Sequence, residues 1–433
     1  MNNLEDIPFS LIAEVNPRTS TKHLTNDMSV SFIPMSDVTE TGQWIHHQER
    51  KLEDLLGHGY TPFQEGDILF AKITPCMENG KGAHAIGLVN GIGLGTTEFH
   101  VLRAKVSGND RFIYHCLQSN LLRLKAERLM IGSAGQRRVA PNFFHVYYIP
   151  YFSPFEQYNI ANILDTIEGQ IQHTEQLITK LKLQRIGLLH KLLTCGINDH
   201  GQLRAISTSL TKGSQKIELK SFPKEWEIYQ LGKIAQVGAG LTLGKKFSGP
   251  DTMKLPYLRV ANVQDGYLDL NDIKTVSIPK ENVAKYILQS GDVLMTEGGD
   301  FDKLGRGAIW KDQISPCLHQ NHIFRIRPNK HFLLPEFLTI ISSSSYGKWF
   351  FMLSSKQSTN LASINSTQLK SFPIPCPSIA EQEQIISIIS EYDKNVGVEE
   401  AHLNKLKLYK NGLMHDLLTG KVRVVEKQET ADS

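Results

Sequence analysis

The stretch KLKLQRIGLLHKLLTC, Lys180 to Cys195, is written again as KLKLYKNGLMHDLLTG, Lys405 to Gly420, at an offset of 225 residues. The correspondence extends beyond these lines. Between 149 and 194, 18 of 46 positions match those 225 further on, beginning with IPYFSPFEQYNIANIL over IPCPSIAEQEQIISII. The same offset places GDIL (Gly66 to Leu69) over GDVL (Gly291 to Leu294), GKGA (Gly80 to Ala83) over GRGA (Gly305 to Ala308), and Phe99 over Phe324. One register held from 66 to 195 means two copies of one unit, each a globular part followed by a long helix.

The helix carries its own constraint. Apolar residues recur in steps of four and three at Ile160, Leu164, Ile167, Ile171, Ile178, Leu181, Leu188 and Leu192. The second copy repeats the seam at Ile385, Ile389, Tyr392, Val396, Leu403, Leu406, Leu413 and Leu417. Such a narrow heptad stripe needs a partner, and the other copy is the obvious one. At ~1.5 Å per residue each helix is on the order of 50 Å long. The seam is interrupted at matching places by Thr174 and Arg185 in one copy and by Glu399 and Lys410 in the other. An antiparallel pairing with Arg185 facing Glu399 is the expected register.

Within the globular parts, DILFAKI, FHVLRA, DVLMTE and HIFRIRP read as strands, whereas DRFIYHCLQSNLLRLKAERL and LPEFLTIISSSSYGKWFFML read as helices. The expected fold class is α+β: two pseudo-repeated mixed α/β domains with a pair of long helices forming an antiparallel coiled coil. The boundaries follow as 1–150 for the first globular domain, 151–195 for the first helix, 196–375 for a linker and the second domain, 376–422 for the second helix, and 423–433 for a polar tail.

Composition excludes more than it asserts. A formal charge of +3 on 47 basic and 44 acidic side chains permits nucleic acid without arguing for it. Five scattered cysteines, with no CxxC, give neither a zinc site nor a disulfide framework, and reduced thiols in a cytoplasmic protein are expected. No apolar run reaches membrane-spanning length. VGAGLTLGKK (Val237 to Lys246) misses phosphate-loop spacing, and GIGLGTTEF (Gly91 to Phe99) reads as a structural turn. His46 and His47 are adjacent without ligand spacing, and no metal site is expected. His190 and His415 recur in GLLH and GLMH, where a histidine packs or caps its helix. No catalytic constellation emerges, so the chain reads as non-catalytic.

The duplicated layout, IPxPxxxEQ leading into a heptad helix and GLMHDLLTGKVRV closing it, resembles the specificity subunit of type I restriction–modification systems. SGDVLMT, QNHIFRIRP and STNLASINSTQLKSFPIPCPSIAEQEQI are similarly placed, and the likeness spans essentially the whole chain. Departures are Phe152 where the second copy has Pro377, and Cys195 where it has Gly420. The resemblance implies that each globular domain is a target-recognition domain reading one half of an asymmetric bipartite site in double-stranded DNA. It implies that the helical pair sets the spacer and docks two methyltransferase subunits carrying S-adenosylmethionine. Through them come restriction/translocase subunits using ATP and Mg, with no cofactor in this chain and a role in phage defence. Divergent readers on a repeated frame suit an asymmetric site, because identical ones would demand a palindrome. The rival class is a coiled-coil protein adaptor without DNA readout, for which DNA association would be weak and salt-insensitive.

Base readout needs Arg, Lys, Asn, Gln, Ser or Thr on loops at equivalent places in both copies. KITPCMENGKGAH over EGGDFDKLGRGAI offers Lys72, Asn79 and Lys81 against Lys303 and Arg306. GSAGQRRVAPN over SKQSTNLASINS offers Gln136, Arg137 and Arg138 against Lys356, Gln357, Ser358 and Asn360. LHQNH adds Gln320. Arg137→Ala or Arg306→Ala is expected to weaken specific binding by ~1–3 kcal/mol where the guanidinium reads a guanine.

Overall fold

The computed structural model describes residues 5–133, 135–204, 222–242, 251–299, 304–357 and 362–424. It divides into one unit of Met1–Gln176 with Glu400–Ser433 and another of Leu177–Glu399. Each unit holds one globular head and one half of each long helix, Pro154–Cys195 and Ile379–Leu418.

The first head is built on a four-stranded antiparallel sheet in the order Ala13–Val15, Phe99–Ala104, Ile68–Ala71, Gly82–His84. The run ILFA at 68–71 is apolar throughout because both its faces are covered. Ile68 and Phe70 pack with Phe112, Ile113, Leu117 and Leu122, and with Ile160, Leu164, Met414 and Leu417 of the long helices. Leu69 and Ala71 pack with Phe63, Phe99 and Val101 on the other side. At ~1.5–3 kcal/mol per large apolar side chain, this two-sided burial is the main force holding the sheet.

The second head repeats the sheet as Ala235–Ala239, Ile323–Pro328, Val293–Thr296, Gly307–Ile309. Each head adds a second sheet. In the first it is Gln48–Lys51, Ser29–Ile33, Ile92–Gly95 and Thr61–Gln64; in the second it is Lys274–Pro279, Thr252–Leu258 and Leu318–His319. GIGLGTTEF is thus no turn: Ile92–Gly95 is a fully buried strand. Its glycines make room for an aromatic ring, since a Cβ on Gly93 would lie 2.1 Å from Phe63 Cε2. VGAGLTLGKK begins in the strand Ala235–Ala239, and its end lies outside the described residues.

The two expected head helices are each broken at the same place. Ser119 separates Asp110–Gln118 from Asn120–Arg128, and Ser344 separates Pro335–Ser343 from Ser345–Ser354. In both, the serine hydroxyl accepts the backbone N–H three residues on, at 3.3 Å, from Leu122 or Gly347. An N-cap serine is satisfied only at a helix start, so apolar periodicity alone ran across the break.

The GD pair is a brace at the head of the central strand. Asp67 and Asp292, each 1% exposed at the side chain, accept side-on from Arg103 (2.7 and 2.8 Å) and Arg327 (2.6 and 2.8 Å) respectively. Each also accepts a turn N–H at 2.8 Å, from Gln64 or Gln289. The preceding glycines, at φ 83° and 90°, take the left-handed turn that this geometry requires.

The long helices pair antiparallel within each unit. In the first, Ile167 and Ile171 pack on Leu406, with Leu403 and Leu413 alongside. Flanking this seam, Lys407 pairs with Glu175 at 2.8 Å and Lys410 with Glu168 at 3.3 Å. In the second, Leu188, Leu189, Leu192 and Leu193 pack with Ile385 and Ile389. Ile178 and Val396 are buried, while Leu181 and Tyr392 are half-buried. Arg185 does meet a carboxylate of the opposite helix, but it is Asp393 and not Glu399; Asp393 Oδ2 lies 2.9 Å from Arg185 Nη2. Thr174 is buried and turns its hydroxyl onto the Gln170 carbonyl at 2.8 Å, so it makes an intrahelical bond. His190 and His415 are exposed and not buried in the packing; their carbonyls accept Thr194 and Thr419 hydroxyls at 2.7 and 2.6 Å.

The EQ of the repeated motif clamps each helix start. Gln157 donates to the carbonyls of Ser107 and Phe152 (both 3.0 Å) and accepts from Asn109 N. Gln382 does the same to Phe332 (2.8 Å), Pro377 (3.1 Å) and Leu334 N. Glu156 and Glu381, both nearly buried, receive Arg423 and Arg204, the residues that follow the ends of the long helices. Glu381 also accepts Ile197 N at 2.7 Å and Trp226 Nε1 at 3.2 Å.

Candidate nucleic-acid interface

In the first head, the two loops picked from sequence converge on the end of the central strand. Val139 N donates to Lys72 O (2.9 Å), Thr74 N to Arg137 O (3.0 Å), and Arg138 bridges both Ile73 and Ile131. His100 anchors the junction from below. Its Nε2 lies 2.8 Å from Val139 O and its Nδ1 3.1 Å from Asn16 Nδ2. Burial pushes its pKa down, which keeps it neutral and suited to this bridging role.

The candidate side chains differ in what holds them. Arg138 lies side-on against Glu98, Nη2 to Oε1 at 2.8 Å and Nε to Oε2 at 3.0 Å, while its Nη1 donates to Gln136 O at 3.1 Å. The hydrogen bond from Arg138 holds Glu98 below the usual carboxylate range, against the opposing effect of burial. Among the described residues Arg137 has only longer ion-pair contacts, 3.3 Å to Glu78 and 4.0 Å to Glu127. Asn79 donates to Glu40 at 2.9 Å; Lys81 donates at 3.0 Å to the carbonyl of Met35, in the turn that follows the strand Ser29–Ile33. Lys72 is half-buried beside Glu98, and Gln136 is exposed.

The second head brings its two loops together at the same backbone positions. Ile364 N donates to Glu297 O at 2.9 Å, as Val139 N does to Lys72 O, and Thr296 N to Arg306 O at 3.3 Å, as Ala71 N does to Lys81 O at 3.2 Å. Gly298–Gly299 pairs with Ala362–Ser363, which pairs in turn with Lys356–Gln357. The chemistry on this frame is different: Glu297 stands where the first head has Lys72 and binds His322 at 2.6 Å, and Ser363 stands where it has Arg138. Arg306 Nε and Thr296 Oγ1 are buried, with no hydrogen-bond partner among the described residues. Gln320 is half-buried, and its Oε1 accepts from Val260 N at 3.3 Å, so it holds backbone. Lys303, Ser358 and Asn360 lie outside the described residues.

One polar cluster escaped sequence reasoning because its members are far apart in the chain. Where the head helix Asp110–Gln118 meets the first long helix, buried His115 donates from Nε2 to Asp165 at 2.6 Å, and Arg111 clasps the same carboxylate. Glu168 joins them, with Lys410 at 3.3 Å and Arg111 at 3.8 Å. Burial alone would raise the Asp165 pKa, but the hydrogen bonds from His115 and Arg111 outweigh it and hold the carboxyl well below its usual range. His115, Asp165 and Glu168 offer three ligand atoms within 4.8 Å of one another. Two carboxylates already neutralised by a guanidinium and an ammonium are nevertheless a poor cation site. The cluster is an ion network joining head to helix, and Ile340 and Ser390 at the equivalent positions of His115 and Asp165 show that the second head lacks it.

The duplication is mirrored in the comparisons. The family model described as "Type I restriction modification DNA specificity domain" matches twice, at residues 11–183 and 223–408. The EcoAI and EcoEI type I restriction enzyme specificity subunits of Escherichia coli are each 26% identical, covering 88% and 90% of this chain and 76% and 77% of theirs. The "Putative type I restriction enzyme MjaX specificity subunit" of Methanocaldococcus jannaschii is 31% identical over 207 residues, which cover 47% of this chain and about half, 48%, of that relative. Among solved structures, the "Type-I restriction-modification system S subunit from M. genitalium" superposes with a TM-score of 0.53 at 15% identity, over 96% of this chain and 97% of that one. A chain from "Structural basis underlying complex assembly and conformational transition of the type I R-M system" gives 0.57 at 16% identity, over 98% and 99%. With most of its length accounted for by two copies of that domain, this chain belongs to the type I restriction–modification DNA specificity family.

Proposed function

We propose that each head reads one half of an asymmetric bipartite site in double-stranded DNA through its paired loops, and that the helical pair sets the spacer between the halves. The observation that carries this reading is the repeated backbone junction, 2.9 Å in both heads, with Lys72 and Arg138 exchanged for Glu297 and Ser363. A frame kept constant while its outward chemistry changes is what two readers of different words need.

The helical pair also docks two methyltransferase subunits. Support comes from Leu183 and Leu408, equivalent residues off the seam and 65% and 70% exposed, each one turn before a bare helical glycine, Gly187 or Gly412. A repeated leucine beside a repeated gap suits two copies of one partner. S-adenosylmethionine then belongs to those subunits, ATP and Mg to the restriction subunits they recruit, and this chain supplies specificity without a cofactor of its own.

The test is the pattern of methylated adenines in DNA from cells carrying this chain with its companion methyltransferase. Replacing residues 132–138 should alter one half of the modified sequence and leave the other half and the gap unchanged. DNA association by the complex should also fall steeply with salt. An unaltered methylation pattern with weak, salt-insensitive association would favour the protein-adaptor reading instead.

A further inference from the structure

We propose, resting on the DNA-reading role above, that Arg138 selects a guanine in the half-site of the first head, with Glu98 as its positioning residue. Glu98 leaves part of the Arg138 guanidinium free. A guanidinium has five N–H donors. Glu98 takes the one on Nε and one on Nη2, and Gln136 O takes one on Nη1. One N–H remains on each of the two neighbouring terminal nitrogens. Guanine presents two adjacent acceptors, N7 and O6, in the major groove; adenine presents an acceptor and a donor, which cannot satisfy the pair.

The group is held but accessible. Arg138 is fixed at its backbone by bonds in both directions with Ile131, at 2.8 and 3.0 Å, yet its side chain is 41% exposed. With Arg138 more than a third exposed, solvent screening limits what the pair adds to stability and leaves its orientation to be explained. The carboxylate also makes the pair formally neutral. Arg138 therefore contributes little to general attraction for phosphate and expresses itself as discrimination between bases. Neighbouring Arg137, with its longer and looser contacts at 3.3 and 4.0 Å, is suited to the opposite task of meeting a phosphate. The second head has Ser363 at the position of Arg138, so its half-site is read by other means.

The experiment uses the full chain assembled with its companion methyltransferase subunits and a duplex pool randomised across the site, followed by duplexes varied one base pair at a time. In Arg138→Ala the preference for guanine should fall about 10- to 100-fold at one position of one half-site. The slope of affinity against salt should hardly change. Arg138→Lys should not restore the preference, since an ammonium lacks the two-pronged donor edge. Glu98→Gln should lower the preference several-fold while leaving affinity for unrelated DNA equal or higher. Arg137→Ala should lower affinity for all sequences and reduce the salt slope by about one. Uniform weakening in Arg138→Ala with that loss of slope would make Arg138 a phosphate contact and overturn the proposal, as would unrelaxed selection in a variant that melts like the parent. A failure of the underlying role looks different: the unmodified complex would then show no preferred sequence at all.

Discussion

Replacing Asp292 with alanine tests whether the GD brace holds the strand that delivers the second head's loop. The carboxylate is 1% exposed and accepts three hydrogen bonds, two from Arg327 at 2.6 and 2.8 Å and one from Gln289 N at 2.8 Å. Breaking a buried pair by removing one member costs about 3–5 kcal/mol, because the remaining charge loses its partner. Arg327 is 28% exposed and can recover some water, which places the cost near the lower end, about 3 kcal/mol. For a unit of this size about 2–4 °C is lost per kcal/mol, so the transition of this unit should fall by about 6–12 °C. Asparagine keeps one acceptor and should lose about half as much. Calorimetry of the three proteins reads this directly. Because Glu297 follows the braced strand by one residue, weakened sequence selection by the second half-site should accompany the loss. A transition within about 1 °C of the parent would show that the pair is no brace, and the same substitution at Asp67 should behave alike in the first head.

Acid should destabilise the first unit through Asp165 and Glu156. In each, burial opposes ionisation, but hydrogen bonds from His115 and Arg111, or from Arg423 and Ser153, prevail and depress the pKa. A depressed folded-state value gives stability that is complete above the unfolded carboxylate range and is lost as pH falls through the folded value. Unfolding free energy measured from pH 7 downward should therefore decline below about pH 4, and less so in Asp165→Asn; identical profiles would contradict the assignment. Glycine replacements should separate by sign. Gly93→Ala drives a methyl to 2.1 Å from the buried Phe63 ring and should cost about 1–3 kcal/mol, whereas Gly169→Ala, in open space on the first long helix, should gain about 0.5–1 kcal/mol in urea unfolding.

Much of the architecture was legible because the chain states it twice. Apolar steps of four and three found the seam, and β-rich runs bounded by Gly, Pro and Asn found the central strands. Three things were not legible for physical reasons. The breaks at Ser119 and Ser344 depend on a cap hydrogen bond that leaves apolar spacing undisturbed. The strand Ile92–Gly95 resembles a turn because its glycines answer to a ring supplied by Phe63, some thirty residues earlier. Arg185 finds Asp393 because helix pairing fixes only which stripe faces inward, while a long side chain chooses among carboxylates a turn or two apart.

The candidate interface shows why the duplication helps most where the copies disagree. The seam, the GD brace and the EQ clamp are nearly the same in both halves, so they report on folding. At the loop junction the backbone bonds are kept and the side chains are exchanged, Lys72 for Glu297 and Arg138 for Ser363. A difference that folding does not require must answer to something outside the chain. The clamp from Glu98 is the clearest instance, because it orients a guanidinium that stays 41% exposed. Its partner across the chain is a sequence-distant carboxylate, so a motif search sees two adjacent arginines and nothing to tell them apart. Only the pairing geometry tells them apart, and on the reading proposed above, with Arg138 at a base edge and Arg137 at a phosphate, the two variants should differ in salt slope as well as in selectivity.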